Sequence, residues 1–162
     1  MRDNELQNID EIVGKYADMV YRIAVTQMKN TQDAQDIFQE VFMRLLEHLG
    51  EMESEEHLKA WLIRVTLNCS KSSLTSAWRR HTQPLEEQEE IPVFEKQEQS
   101  ELYEYLKALP QKYRTVLYLF YYEELSVKKI CDITNQKEAT IKSQLSRGRA
   151  MLKDKLETER SV

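Results

Sequence analysis

The sequence predicts an all-α protein: two small helical domains joined by an acidic linker, the C-terminal one containing a helix-turn-helix. Three observations carry this. Glycine and proline occur only three times each in 162 residues, too few turn formers for a fold of many short strands. Apolar residues recur at spacings of three and four through most of the chain, the period of a half-buried helix. Charge is sorted by segment. Residues 1–80 hold ten Lys/Arg against thirteen Asp/Glu, residues 81–109 two against eight, and residues 110–162 eleven against seven. An acidic middle and a basic end speak of partners rather than of fold.

The first domain, residues 1–82, reads as three helices. "NIDEIVGKYADMVYRIAVTQM" carries the stripe Ile9, Ile12, Val13, Tyr16, Val20, Ile23 and Ala24. Thr31 is expected to cap a second helix, "QDAQDIFQEVFMRLLEHL", with Asp33 in its first turn and Ala34, Ile37, Phe38, Val41, Phe42, Leu45 and Leu49 inward. Gly50 is expected to stop it. Ser54 can cap a third, "EEHLKAWLIRVTLNCSKSSLTSAWRR", with Leu58, Trp61, Leu62, Val65 and Cys69 facing the core. Short connections make this a bundle.

Residues 83–99 read as an extended, self-repelling linker, rich in Glu and Gln and holding Pro84 and Pro92. The second domain, 100–162, opens with "SELYEYLKAL". Pro110 is expected to open the next helix, "QKYRTVLYLFYYEEL", from its first turn. Ser126 can cap "VKKICDITN", and a last helix runs roughly from Glu138 to Leu156.

Several classes are excluded. No stretch approaches the ~18 apolar residues that span a bilayer, and "MRDNELQNID" has no apolar signal region, so neither a membrane span nor a signal peptide is expected. Cys69 and Cys131 fit no metal spacing and read as buried thiols in a reducing compartment. His48, His57 and His81 are scattered. Neither a metal, a cofactor, a small-molecule substrate nor a catalytic constellation is expected.

The last two helices have the size of a helix-turn-helix. Ile130, Ile133, Ile141 and Leu145 supply its apolar contacts, Cys131 is small where the helices cross, and Asn135 tolerates the positive φ that the turn needs. In "ATIKSQLSRGRAMLKDKL", Lys142, Arg149 and Lys153 share a face with Ser146, read as lying opposite Ile141 and Leu145, with Arg147 to the side. Residues 140–155 hold five cations against Asp154. Duplex DNA fits: Lys and Arg neutralise phosphates, and Ser, Thr and Arg near the helix start read base edges. Gly148 inside that helix costs about 1 kcal/mol relative to Ala.

These residues resemble the bacterial sigma factors of the extracytoplasmic-function (ECF) class within the sigma-70 family. In the C-terminal promoter-reading region the matching positions are Leu109-Pro110, Arg114, Glu124-Leu125-Ser126, Ile130-Cys131 and the run Thr140 to Arg149. Independently, "DAQDIFQEVFMRLLEHL" resembles the family's polymerase-docking segment, and "HLKAWLIRVTLNCSKSSLTSAWRR" its promoter-melting segment. The chain departs from the pattern at Cys131 (usually Ala), Asn135 (usually Gly) and Gln136 (often apolar). Its melting segment is also richer in Ser and Thr.

The resemblance implies a non-enzymatic protein that binds core RNA polymerase and promoter DNA, both duplex and melted. Many relatives are held by an anti-sigma factor, some at the membrane. Asp36, Gln39, Glu40, Met43 and Glu47 would dock on a coiled coil of the largest polymerase subunit through an acidic ridge. Trp61, Arg64, Asn68, Lys71, Trp78, Arg79 and Arg80 would hold the melted minus-ten strand, where stacking offsets the cost of unstacking bases. Thr140, Lys142, Ser143, Ser146, Arg147, Arg149 and Lys153 would meet the minus-thirty-five element in the major groove. The acidic linker would screen DNA binding by the free protein or occupy an exit path of the polymerase. The alternative reading is a stand-alone helix-turn-helix regulator, with the first domain as sensor or dimer module. An anti-sigma or adaptor protein would not need the basic helix, and helical enzymes rank last.

Overall fold

The computed structural model describes residues 2–28, 30–80 and 97–160, with side chains for 9–28, 30–72 and 101–159. The described residues form helices joined by short connections, without a strand, and divide into two units, Met1–Val93 and Phe94–Val162. The expected all-α class is what the structure has. Most of the expected linker, 83–96, lies outside the described residues, as do positions 81 and 82 of the expected first domain, and the linker's last positions, 97–99, already belong to a helix.

In the first unit α1 (Arg2–Met28), α2 (Thr31–His48) and α3 (Glu55–Arg80) each pack on the other two. Helix α1 is buried on one side at Tyr16 and on nearly every side from Ile23 to Met28, because its end runs beneath both neighbours. The cap of α2 is Asn30, one residue before the expected Thr31. The Asn30 carboxamide oxygen accepts from the backbone N–H of Gln32 (2.8 Å) and Asp33 (3.4 Å). Gly50 does not end α2 in a left-handed turn. The helix tightens into a 3-10 turn over Leu49–Glu51, closed by Met52 N–H on the Leu49 carbonyl (3.4 Å), and neither this glycine nor its described fellows have positive φ. Ser54 caps α3 as expected, accepting from His57 N–H at 3.0 Å.

The inward face of α3 is wider than its apolar pattern. Ile63 and Leu67 are buried beside Leu58, Leu62 and Cys69, and so are Thr66 and Ser70, whereas Trp61 and Val65 are only half-buried. The Thr66 hydroxyl donates to the Leu62 carbonyl (2.6 Å) and the Ser70 hydroxyl to the Thr66 carbonyl (2.7 Å). A hydroxyl satisfied by the preceding turn can enter the core at little cost. Lys15 pairs with Glu55, tying α1 to the start of α3. An open cleft of about 310 Å³ lies there, lined by Ile12, Lys15, Tyr16, Met52 and Leu58.

The second unit holds α4 (Gln97–Leu106), α5 (Gln111–Leu117), α6 (Val127–Thr134) and α7 (Glu138–Arg160). Pro110 is the residue before α5 rather than its first. Its carbonyl accepts from Tyr113 and Arg114. Arg114 is 3% exposed, and its guanidinium donates to the Leu109 carbonyl at 2.8 Å, binding the α4–α5 corner from inside. Burial pulls its pKa below the ordinary arginine value.

Helix α5 does not continue as one α-helix to Leu125. It widens into a π-turn over Tyr118–Tyr122, in which Glu123 N–H reaches the Tyr118 carbonyl (3.2 Å). Glu124 then adopts φ 56°, and Leu125 N–H closes on the Leu119 carbonyl (3.1 Å).

Gly148 of α7 faces α5. A Cβ there would lie 2.9 Å from Leu117 Cδ1, 3.2 Å from Leu117 Cγ and 3.4 Å from Tyr113 Cβ. The glycine is therefore where the two backbones come close, which gives its propensity cost a packing reason.

Candidate docking and nucleic-acid surfaces

The helix-turn-helix is formed by α6 and α7. Ser126 caps α6 by accepting from Lys129 N–H at 3.1 Å. Asn135 ends it at φ 54°, ψ 42°, with its N–H on the Cys131 carbonyl, and Gln136 N–H joins the same carbonyl at 3.3 Å. The expected left-handed turn is thus made by Asn without a glycine. Ile130, Ile133, Ile141 and Leu145 are buried in the seam. Cys131 is half-buried rather than buried.

Thr140, Lys142, Ser143, Ser146, Arg147, Arg149 and Lys153 are all exposed on α7. Their arrangement corrects the sequence reading. At about 100° per residue, Lys142, Ser146, Arg149 and Lys153 lie roughly 100° round from the buried seam of Ile141, Leu145 and Gly148, not opposite it. The directly opposite face is small: Ala139, Ser143 and Ala150, all exposed, with Thr140 and Arg147 on its far border. A smooth strip of small residues bordered by cations can approach a groove floor closely while its borders meet phosphates. Ala139 and Ala150 carry no charge, so a reading by charge passes over them. Gln136 and Lys137, exposed just before α7, also precede the reading end of such a helix.

The cations have partners within the chain. Lys142 pairs with Glu138 at 2.8 Å; this bond raises the lysine pKa and lowers that of the carboxyl. An Arg147 hydrogen bond draws the Tyr113 phenol below its ordinary value, with Lys112 adding to it. Arg149 donates from Nε to the Tyr121 hydroxyl at 2.5 Å, and its guanidinium lies 5.7 Å from the ring centres of both Phe120 and Tyr121. Lys153 stands 4.0 Å from Glu157.

On α2, Asp36, Gln39, Glu40, Met43 and Glu47 are all exposed and fall within an arc of about 100°, nearly opposite the buried Ala34, Ile37, Val41 and Leu45. Met43 is 63% exposed, and beside it Leu46 is 54% exposed. Leu46 was missed because the sequence reading followed polar residues; two large apolar side chains in the open on one helix face are the better signal. Glu40 is held by Arg44 at 2.8 Å.

On α3, Arg64, Asn68 and Lys71 are exposed and share one side with Trp61, whose ring packs at 5.7 Å from the His48 ring. This contact holds Trp61 against α2, half-buried, and favours packing over a free stacking platform. Trp78, Arg79 and Arg80 lie on the last turns of α3, and their side chains fall outside those described. Among the described residues there is no cluster of His, Cys, Asp and Glu able to hold a metal ion, and no helix long and apolar enough to cross a membrane.

Comparison with known proteins agrees with this geometry. The sigma-70 region 2 family matches residues 12–80, and sigma-70 region 4 matches residues 99–152. The ECF RNA polymerase sigma factor SigM of Bacillus subtilis is 31% identical over 156 residues, covering 90% of this chain and 93% of that one. The ECF RNA polymerase sigma factor SigW of the same organism is 26% identical, covering 90% and 87%. Among solved structures, the sigma factor RpoE in complex with the anti-sigma factor NepR, from Bartonella quintana, superposes with a TM-score of 0.76 at 20% identity over 93% of this chain and 98% of that one. CnrH in complex with the cytosolic domain of CnrY gives 0.68 at 17% identity, covering 94% and 90%. Two family regions in the right order, and a relative aligned over nearly its whole length, establish that the chain belongs to the sigma-70 family of RNA polymerase sigma factors, in its ECF class.

Proposed function

We propose that, within the promoter-directing role this family membership carries, the chain divides its work among three surfaces. The first unit docks on core RNA polymerase through the α2 ridge of Asp36, Gln39, Glu40, Met43 and Glu47, with Leu46 added. It holds the melted minus-ten strand along Arg64, Asn68 and Lys71. The second unit reads the minus-thirty-five element with the start of α7. The protein is a non-enzymatic, cytoplasmic partner of polymerase, open to capture by an anti-sigma factor, as the RpoE–NepR complex illustrates for its own chain.

The observation that carries this reading is the outer face of α7. A Ser126-capped helix, a left-handed Asn135 and a following helix with a small-residue strip flanked by Lys142 and Arg147 form an element shaped for a major groove. An apolar spot in a mostly acidic ridge on α2 then supplies what a free regulator would not need.

The test is transcription by purified bacterial core polymerase, with and without the protein, on a library of promoter fragments. New start sites that share two spaced elements support the proposal. Specific operator binding by the protein alone, with no transcripts, would favour the stand-alone regulator instead.

A further inference from the structure

The seven exposed residues on α7 do not all face the same way, and Arg149 has the most complete set of contacts within the chain. Its Nε donates to the Tyr121 hydroxyl at 2.5 Å, and its guanidinium sits 5.7 Å from two ring centres. Those rings, Phe120 and Tyr121, pack edge-to-face on each other at 5.0 Å and 82°. Both come from the π-turn, where the widened backbone redirects side chains that a regular α-helix would carry elsewhere. Immediately beyond, Glu124 holds an unfavourable positive φ, so the corner is kept despite a local cost.

Arg149 also lies eleven residues beyond Glu138, about 16 Å along the helix, whereas the base-reading residues of such helices sit near the N-terminal end. A planar guanidinium that both stacks and donates is suited to fixing an orientation; an ammonium cannot do the same.

We propose that Arg149 is a positioning residue: it clamps the recognition helix to the Phe120–Tyr121 corner and fixes the roll of α7 toward DNA, and it does not itself read a base or neutralise a phosphate. The inference rests on reading α7 as the DNA-facing helix. It makes the π-turn part of promoter specificity.

The first test needs no DNA. In the full-length wild-type protein, hydrogen exchange at Arg149 Nε–H, followed by NMR, should be slower than in free arginine, and Tyr121→Phe should restore the free rate. Equal exchange in both proteins overturns the clamp.

The second test uses holoenzyme and a promoter fragment recovered from the transcription library. Arg149→Lys and Tyr121→Phe should each lower discrimination between that promoter and a scrambled duplex by roughly three- to tenfold, and the double variant should be little worse than either. The dependence of binding on log salt should keep its slope. A phosphate contact predicts otherwise: Arg149→Lys tolerated, Tyr121→Phe silent, and a slope reduced by about 0.9 in Arg149→Gln. That pattern refutes the positioning role. Failure of the wild-type protein to direct transcription would instead refute the promoter reading, leaving the exchange experiment to decide the clamp.

Discussion

Substituting Gly148 tests how closely α5 and α7 are packed. An alanine Cβ at this position would stand 2.9 Å from Leu117 Cδ1 and 3.2 Å from its Cγ, against an optimal carbon–carbon separation of about 3.5–4.0 Å. Leu117 is 1% exposed and has little room to retreat. Two opposed effects follow. Replacing a mid-helix glycine gains about 1 kcal/mol of propensity. Overpacking a closed core costs about 1–3 kcal/mol. Gly148→Ala should therefore be destabilising by about 0–2 kcal/mol, where an open helix position would be stabilised. Leu117→Ala alone should cost about 2–5 kcal/mol, but it removes the atoms in the way. In that background Gly148→Ala should become stabilising by at least about 1 kcal/mol. Urea unfolding measures this, and the chain supplies its own probes: six of its eight tyrosines lie in residues 103–122, while Trp61 and Trp78 belong to the first unit. Tyrosine near-ultraviolet circular dichroism thus follows mainly the second unit, and tryptophan fluorescence the first. Stabilisation by the same ~1 kcal/mol in both backgrounds would mean that the helices have slack at this point, and the argument from the glycine would fail.

Other outcomes follow from the same geometry. At Asn135, with φ 54°, glycine should be within about 0.5 kcal/mol of wild type and valine should cost about 2 kcal/mol, read from the tyrosine transition. Glu138→Gln removes the carboxylate that holds Lys142, so binding to non-specific duplex at low salt should tighten; unchanged affinity would show that Lys142 faces no phosphate. Met43→Ser with Leu46→Ser should weaken binding to core polymerase by at least tenfold without lowering thermal stability, because both side chains lie in the open; a fall in Tm would place them in the fold instead. Lys15 lowers the Glu55 carboxyl below its ordinary 4.5 and is itself raised above 10.5. The stabilisation from the pair is therefore complete between those values. It is lost as the pH falls through the shifted carboxyl pKa or rises through the shifted lysine pKa. Glu55→Gln should remove this acid-sensitive share, so a stability difference from wild type that does not shrink below pH 4.5 would rule the pair out.

The elements were legible because a period of three and four residues survives even where its exact width does not. The Ser126 and Ser54 caps and the Asn135 turn could be read directly, since each depends on one residue's own stereochemistry. Of the expected α2 stripe, Ala34, Ile37, Val41 and Leu45 are buried, while Phe38, Phe42 and Leu49 are half-buried. The cap of α2 slipped by one position because Asn30 and Thr31 are both competent acceptors, and only the chain path decides between them. The depth of α3 was hidden because Thr66 and Ser70 look polar in sequence yet satisfy their hydroxyls on their own helix. The π-turn had no sequence mark: "YLFYY" continues an apolar run equally well as α-helix. The exposed ridge of α2 was legible as an outer face, but its apolar share needed the exposures of Met43 and Leu46. On α7 the reading took Lys142, Arg147, Arg149 and Lys153 as DNA-facing, and the structure sets them against two acids, a phenol and two rings.

Helix α6 is only eight residues long, well below the length at which a helix holds itself together in water. It exists because Ser126 fixes one end, Asn135 the other, and Ile130 and Ile133 are covered by the rest of the unit. Such a segment has no partly formed state worth populating. It opens when its surroundings open, as one cooperative block with α5 and α7. The DNA-facing helix is therefore presented whole or not at all. Any agent that pries loose one of its joints, at Glu124 or at Asn135, acts as a switch for the entire reading head.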